Sequence, residues 1–182
     1  MEISKAQQEV RTTFLGGSIG QLVSGTLWLI SSALTRWHSQ RYGILFLLIG
    51  GFFIFPITQL IIRLMGRPSS LSHENPFGQL AMQIAFTLPI TLPIVGAATL
   101  YRPEWFYPAF MITLGAHYLP FTFLYGMRMF TPLCCILVFT GLSIGLYIPQ
   151  AISLTGWFTG LVLLLFAFIG YRIVSKEQRH LT

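Results

Sequence analysis

The chain contains no aspartate, and its few acidic residues lie outside the long apolar segments that dominate the sequence. The acidic residues are Glu2, Glu9, Glu74, Glu104 and Glu177. Carriers that couple transport to protons or sodium usually keep a carboxylate inside the membrane, so coupled transport is disfavoured. Hydrolysis by a pair of carboxylates is excluded within the bilayer for the same reason.

Cysteine and histidine are also scarce, and neither residue type is grouped. Cys134 and Cys135 are neighbours whose side chains would point apart on a helix, which excludes a disulfide framework. The four histidines are dispersed, at His38, His73, His117 and His180. Metal sites need several converging ligands. The sequence therefore predicts no metal site and no cofactor, and no catalytic residue can be assigned.

Six long apolar segments make up most of the chain. They are residues 13–34, 43–65, 78–100, 106–127, 131–149 and 155–174. A hydrocarbon core of about 30 Å needs roughly 20 helical residues to cross it. Strands of a membrane barrel would alternate apolar and polar residues, which these segments do not. We predict an all-α, polytopic membrane protein: a single domain over residues 1–182, built as a bundle of six transmembrane helices.

The basic residues divide unevenly between the two ends of these segments. The termini and the loops on their side of the membrane carry eight lysines and arginines. The loops on the opposite side carry three, Arg36, Arg41 and Arg102. The positive-inside rule then predicts that both termini are cytoplasmic. A nucleic-acid partner is disfavoured, because the basic residues are scattered over the loops instead of forming one face.

The third segment carries a polar stripe. Gln79, Gln83, Thr87 and Thr91 recur every four residues, so they share one side of a helix. Pro89 and Pro93 follow the same spacing. Each proline removes an N–H group and frees a carbonyl one turn back. The prolines either bend the helix for purely structural reasons or open a cavity beside the stripe.

The fourth segment carries a second stripe, formed by His117, Phe121 and Tyr125. Pro120 lies between them and is expected to free the carbonyl of Ala116. A rise of about 1.5 Å per residue brings the two stripes to matching depths in antiparallel helices. A titratable side chain inside a membrane is by default a functional candidate. The sequence predicts a polar pocket that binds or passes a small uncharged or anionic molecule. The predicted pocket residues are His117, Tyr125, Gln79, Gln83, Gln59, Gln21, Thr87 and Tyr118.

Three other interpretations remain open. The polar side chains can bond across helices and simply hold the bundle together. A helix N-terminus with nearby arginines can bind a lipid head group at the cytoplasmic interface, through Arg63, Arg67, Glu74 and Arg128. The chain can also be a non-catalytic assembly subunit. Small residues recur every four positions at Gly16, Gly20 and Ser24, at Gly141 and Gly145, and at Gly156 and Gly160. Such spacing favours close helix packing, either within the fold or in a homodimer.

One part of the sequence resembles small six-helix bacterial membrane proteins of a family of unknown function. The resemblance covers roughly residues 75–126. It rests on Asn75-Pro76, on Pro93-Ile94 and on the string Gly115-Ala116-His117-x-x-Pro120-x-x-x-Leu124-Tyr125. It implies a bacterial inner membrane and a six-helix bundle, and it carries no activity.

Overall fold

A computed structural model describes residues 1–179, so His180 lies outside the described residues. Within them the chain is all-α. The helices are α1 (Ile3–Thr13), α2 (Ser18–Trp37), α3 (Gln40–Leu64), α4 (Phe77–Tyr101), α5 (Phe106–Tyr118), α6 (Phe121–Leu124), α7 (Phe130–Tyr147) and α8 (Ile152–Arg179).

Four of these helices are long and apolar enough to cross a membrane. They are α3, α4, α7 and α8. The first predicted segment would add a fifth crossing if α1 and Leu15–Trp37 count as one span bent by 64°. Helix α5 has 13 residues, or about 20 Å, which is short of the hydrocarbon thickness. The six-span count therefore stays a prediction.

The predicted first segment, residues 13–34, is not one straight helix. Leu15, Gly16 and Gly17 have φ angles of +50°, +63° and +76°. This left-handed turn separates α1 from α2. Two consecutive glycines make the conformation accessible, whereas Leu15 adopts it at a cost in strain. Gly16 thus lies in the turn, and the expectation that it continues the stripe of Gly20 is wrong.

The remaining glycine pairs pack inside the chain. Helix α2 packs against α3 and α8, and α5 packs against α4 and α7. A Cβ atom on Gly25 would lie 3.0 Å from the carbonyl oxygen of Gly160. Gly141 lies equally close to α5, where its Cβ would be 3.1 Å from the carbonyl oxygen of Pro108, and a Cβ on Gly145 would be 3.2 Å from the same proline's Cβ. These glycines therefore allow close approach between helices of one chain.

Helix α1 is an amphipathic helix held against the bundle. Ala6, Val10 and Thr13 are buried on one side of it. It also contacts the loop before α4 through Glu9. The Glu9 carboxylate accepts hydrogen bonds from Ser72 N at 2.6 Å, from Ser72 Oγ at 3.0 Å and from Asn75 Nδ2 at 3.0 Å. Asn75 lies just before α4, where its Oδ1 accepts the N–H of Phe77, the first residue of that helix, at 2.9 Å.

Further bonds tie α1 to three distant parts of the chain. Arg11 binds both carboxylate oxygens of Glu177 in α8, at 2.7 and 2.5 Å, and donates to the carbonyl oxygen of Tyr125 at 2.7 Å. The amide of Gln7 donates to the carbonyl of Phe123. Arg67 donates to the carbonyl of Thr12 at 2.9 Å. The α1 helix therefore closes one end of the bundle.

Acid should weaken the contact between α1 and the loop before α4. The backbone N–H of Ser72 lowers the pKa of Glu9 from its usual value of 4.5, and the Asn75 and Ser72 side chains add to this effect. A carboxylate with a lowered pKa in the folded state stabilises that state above its usual pKa, and this stabilisation is lost as the pH falls through the lowered value. We expect protection from hydrogen exchange in residues 66–76, relative to the intrinsic rate at each pH, to fall below pH 4.5. Glu9→Gln should exchange fast at every pH. Equal protection of the wild type on both sides of this range would contradict the prediction.

Candidate functional site

The predicted stripe on the fourth segment forms a continuous row of rings. The centroid of His117 lies 5.1 Å from that of Phe121, which in turn lies 5.4 Å from that of Tyr125. The three residues thus share one side, as predicted. Pro120 does interrupt the helix between α5 and α6. The carbonyl of Ala116 is not left free, however, because it accepts the N–H of Leu119 at 3.2 Å.

His117 joins this row to α4. Its Nδ1 lies 2.9 Å from Oγ1 of Thr87. The Thr87 hydroxyl donates to the carbonyl of Ile84 at 2.7 Å, which leaves its oxygen to accept the N–H of His117. The predicted match in depth between His117 and Thr87 is therefore confirmed. The contact is direct, so it supports a hydrogen bond between helices rather than a pocket at this place.

Gln79 and Gln83 do not take part in the contact between Thr87 and His117. Both side chains are exposed on α4. Four residues of an α-helix turn through about 400°, so each step along such a stripe moves it about 40° around the helix. Thr87 faces α5. Gln83 therefore points about 40° away from that direction, and Gln79 about 80° away. Gln59, on α3, is half-buried.

A second group of polar residues lies at the turn between α1 and α2. Gln21 is 1% exposed and Ser18 is 3% exposed. Neither the two amide atoms of Gln21 nor Oγ of Ser18 has a hydrogen-bond partner among the described residues. Buried polar groups are nearly always paired, so an unpaired, fully buried primary amide is unusual.

The tyrosines of the α5–α6 region reach the same turn. A Cβ atom on Gly17 would lie 3.5 Å from the hydroxyl oxygen of Tyr125 and 3.7 Å from the Phe130 ring. Tyr118 stacks on the same Phe130 ring, with centroids 6.1 Å apart. Gln21 lies one helical turn after Gly17, on the same side of α2. We call Ser18, Gln21, Tyr118 and Tyr125 the inner polar site.

The tyrosine hydroxyls of the inner polar site make no hydrogen bond to residues 1–179, and both rings are buried. Neither hydroxyl oxygen is among the fully buried unpaired atoms, however, so these two groups differ from the Gln21 amide and the Ser18 hydroxyl. This group includes three of the predicted pocket residues, Gln21, Tyr118 and Tyr125. Ser18 was not predicted as a site residue. Its spacing of three residues from Gln21 places both on one side of a helix and could have indicated it.

A different polar cluster, near the opposite ends of these helices, was also missed by the sequence analysis. The hydroxyl of Tyr107 lies 2.6 Å from Oγ of Ser31 and 2.6 Å from Oγ1 of Thr35. Ser31 donates to the carbonyl of Gly43 at 2.8 Å. Because every member is paired, this cluster joins α2, α3 and α5 and leaves no group free for a ligand. Its signal was the four-residue spacing of Ser31 and Thr35.

The predicted interfacial anion site is dispersed. Arg63 donates to Oγ of Ser69 at 3.0 Å, and Arg67 is directed towards Thr12. Glu74 and Arg128 are exposed. No hydrogen bond or ion pair among the described residues joins any two of these four.

Two open depressions of about 360 Å³ each lie elsewhere on the surface. Both are lined by Tyr101 and Arg102. These residues lie at the C-terminal end of α4, whereas Gln79 lies near its N-terminal end. None of the predicted pocket residues lines them. The predicted cavity between the stripes of the third and fourth segments is therefore unsupported.

Comparison with known proteins gives a family without an assigned activity. The profile of DUF7010, a family of unknown function, matches residues 3–172. The chain belongs to this family. The match confirms the suspected relationship and extends it from residues 75–126 to almost the whole described chain. No curated protein and no solved structure matches the chain. The apolar helices of this DUF7010 protein are compatible with a place in a lipid bilayer.

Proposed function

We propose that this protein crosses the bacterial inner membrane six times, with both termini in the cytoplasm, and binds or passes a small uncharged or anionic molecule at the inner polar site. The observation that carries the proposal is Gln21, which is 1% exposed and has no partner for either amide atom among the described residues. A ligand that both donates and accepts hydrogen bonds would pair it.

The cost of an unpaired amide supports this function. Burying an amide without a hydrogen bond costs about 1–3 kcal/mol in proteins, and in lipid no water is at hand to replace the bond. The hydroxyls of Ser18, Tyr118 and Tyr125 would surround the same ligand with further donors and acceptors. No carboxylate lies in this group, which disfavours a cation held by charge.

The left-handed turn fits the same role. Strained backbone persists where surrounding structure imposes it, and it is common at binding sites. Leu15 has φ of +50° although it is not glycine, and it is 1% exposed. Broken helices whose ends face the substrate are also a common way to build binding sites in membrane proteins. His117 would then hold α4 in place and would not contact the ligand.

The two alternative functions have weaker support. A lipid head-group site would need Arg63, Arg67, Glu74 and Arg128 to converge, and no contact joins them. An assembly subunit would need a surface for its partner, and the glycine faces predicted for that purpose pack within the chain.

Gln21→Leu should abolish ligand binding without unfolding the protein. Leucine has a similar volume and no polar group to bury, so the unliganded variant should unfold at the same temperature as the wild type or above it. The measurement is the thermal shift of purified protein with chloride, nitrate, formate, urea or glycerol. At least one probe should raise the Tm of the wild type and leave that of Gln21→Leu unchanged.

Thr26→Val is the matched control. Thr26 lies on the same helix but is exposed, and its hydroxyl donates to the carbonyl of Leu22. This variant should keep the full shift with the effective probe. The proposal fails if no probe stabilises the wild type, or if Gln21→Leu responds as the wild type does.

A further inference from the structure

The inner polar site is closed to solvent in this structure. All four of its members are buried, from Gln21 at 1% exposed to Tyr125 at 7%. A ligand can therefore reach the site only if part of the protein moves aside. The part that moves must border the site and must be attached less firmly than the packed helices around it.

Helix α1 borders the site. It is bent by 64° from Leu15–Trp37, and the left-handed turn that joins the two comes directly before Ser18. A Cβ atom on Gly17 in that turn would lie 3.5 Å from the hydroxyl oxygen of Tyr125. Arg11 of α1 binds the carbonyl oxygen of the same tyrosine at 2.7 Å. The helix thus lies over the segment that carries Tyr125.

Polar bonds provide much of the attachment of α1. The apolar side chains that it buries are small, those of Ala6 and Val10. The bonds of Gln7 to Phe123 and of Glu9 to the loop before α4 are exposed. Water replaces an exposed hydrogen bond at little net cost, whereas it does not replace apolar packing. These exposed bonds therefore position α1 without fixing it.

The strongest attachment is the ion pair of Arg11 with Glu177. Both carboxylate oxygens accept from the guanidinium, and the two side chains are only 16% and 28% exposed. Bidentate pairs of this kind exceed ordinary hydrogen bonds in strength. Its release would leave α1 held by the exposed bonds and by the two small apolar side chains.

Gly16 and Gly17 form a hinge between α1 and α2. Hinges are a few residues at the ends of elements that absorb large changes of φ and ψ, and glycine has the widest range of both. A Cβ atom on Gly16 would lie 3.0 Å from the sulfur of Met127. Methionine is unbranched and adapts to changes in its surroundings. The turn can therefore change while α2 stays in place.

We propose that α1 is a lid over the inner polar site, which turns about Gly16–Gly17 when Arg11 releases Glu177 and so admits the ligand at this end of the bundle. What the lid admits rests on the function proposed above. The movement itself can be measured without a ligand, so the two proposals can fail separately.

The reaction rate of a buried thiol tests the movement. In a background with Cys134→Ser and Cys135→Ser, Ser18→Cys places a single thiol at the site. The reagent is sulfonatoethyl methanethiosulfonate, which is charged and stays out of lipid, applied to protein in nanodiscs. The rate follows the fraction of open molecules. Arg11→Gln should raise it by about tenfold to a hundredfold. Loss of positive charge alone would slow this anionic reagent.

Two controls separate a lid from general loosening. Thr155→Cys is the matched reporter, because Thr155 is 0% exposed with an unpaired hydroxyl and lies near the opposite end of α8 from Glu177. Its rate should not respond to Arg11→Gln. Lys5→Gln removes an exposed charge from α1 and should leave the Ser18→Cys rate unchanged. The proposal is overturned if Ser18→Cys does not accelerate, if Thr155→Cys accelerates equally, or if Lys5→Gln has the effect of Arg11→Gln.

Hydrogen exchange provides a test that needs no cysteine. The N–H of Ser72 is bonded to Glu9 and makes no contact with the Arg11 ion pair. If α1 moves as one unit, Arg11→Gln should lower the protection of this amide by about the same factor as it raises the thiol rate. Unchanged protection of Ser72 would overturn the lid. A lid that passes both tests in a protein that binds no probe would reject the proposed function alone.

Discussion

Replacing Arg11 with glutamine is expected to lower the free energy of unfolding by about 2–3 kcal/mol. The guanidinium makes two bonds to Glu177 and a third to the carbonyl of Tyr125. The Arg11 and Glu177 side chains are 16% and 28% exposed, so water replaces these bonds poorly. Bidentate pairs of this kind are among the strongest in proteins. Unfolding of the purified protein in mixed detergent micelles measures the change.

A double-mutant cycle separates the contribution of the ion pair from the rest of the lost free energy of unfolding. Glu177→Gln removes the charge from the other side, and the double variant should be less destabilised than the two single changes added together. Lys5→Gln is the control, because Lys5 and its partner Glu2 are 72% and 74% exposed, 3.9 Å apart. That change should have almost no effect. Additive single changes would show that Arg11 acts through Tyr125 alone.

The second large effect is expected at Gly43, where α3 meets the Tyr107 cluster. A Cβ atom there would overlap Oγ1 of Thr35, and it would lie 2.6 Å from the carbonyl oxygen of Ser31 and 2.7 Å from the hydroxyl of Tyr107. Overpacking costs about 1–3 kcal/mol, and here hydrogen bonds must also break. We expect Gly43→Ala to lose about 3 kcal/mol or to purify as aggregated protein.

Gly51→Ala is the matched control on the same helix. A Cβ atom added to Gly51 would meet no neighbouring atom within 4 Å, so nothing around it needs to move. Alanine is also the better helix former. This variant should be as stable as the wild type or more so, as measured by its Tm. Equal Tm values for Gly43→Ala and the wild type would show that α3 can move away from Tyr107.

The sequence predicted the features that depend on local pattern. Long apolar runs marked the helices. The four-residue spacing from His117 to Tyr125 predicted their shared side, and this holds even across Pro120 because the flanking residues keep helical geometry. Such features need no knowledge of neighbouring helices.

The features that were not predicted depend on which side of each helix faces its neighbours and on contacts between residues far apart in the sequence. Gly16 was interpreted as a packing residue, although its pairing with Gly17 also permits a left-handed turn. Ala6, Val10 and Thr13 already had amphipathic spacing, but nothing local indicated that α1 would bind the other end of the chain. The direction of Gln79 and Gln83 was not predictable either, because it depends on which side of α4 meets α5.

The bond between Arg11 and Glu177 spans 166 residues. Helix α1 therefore cannot complete its contacts until α8 has been synthesised. Until then Arg11 lacks its partner Glu177. Closure of this end of the bundle consequently waits for nearly the whole chain to be made.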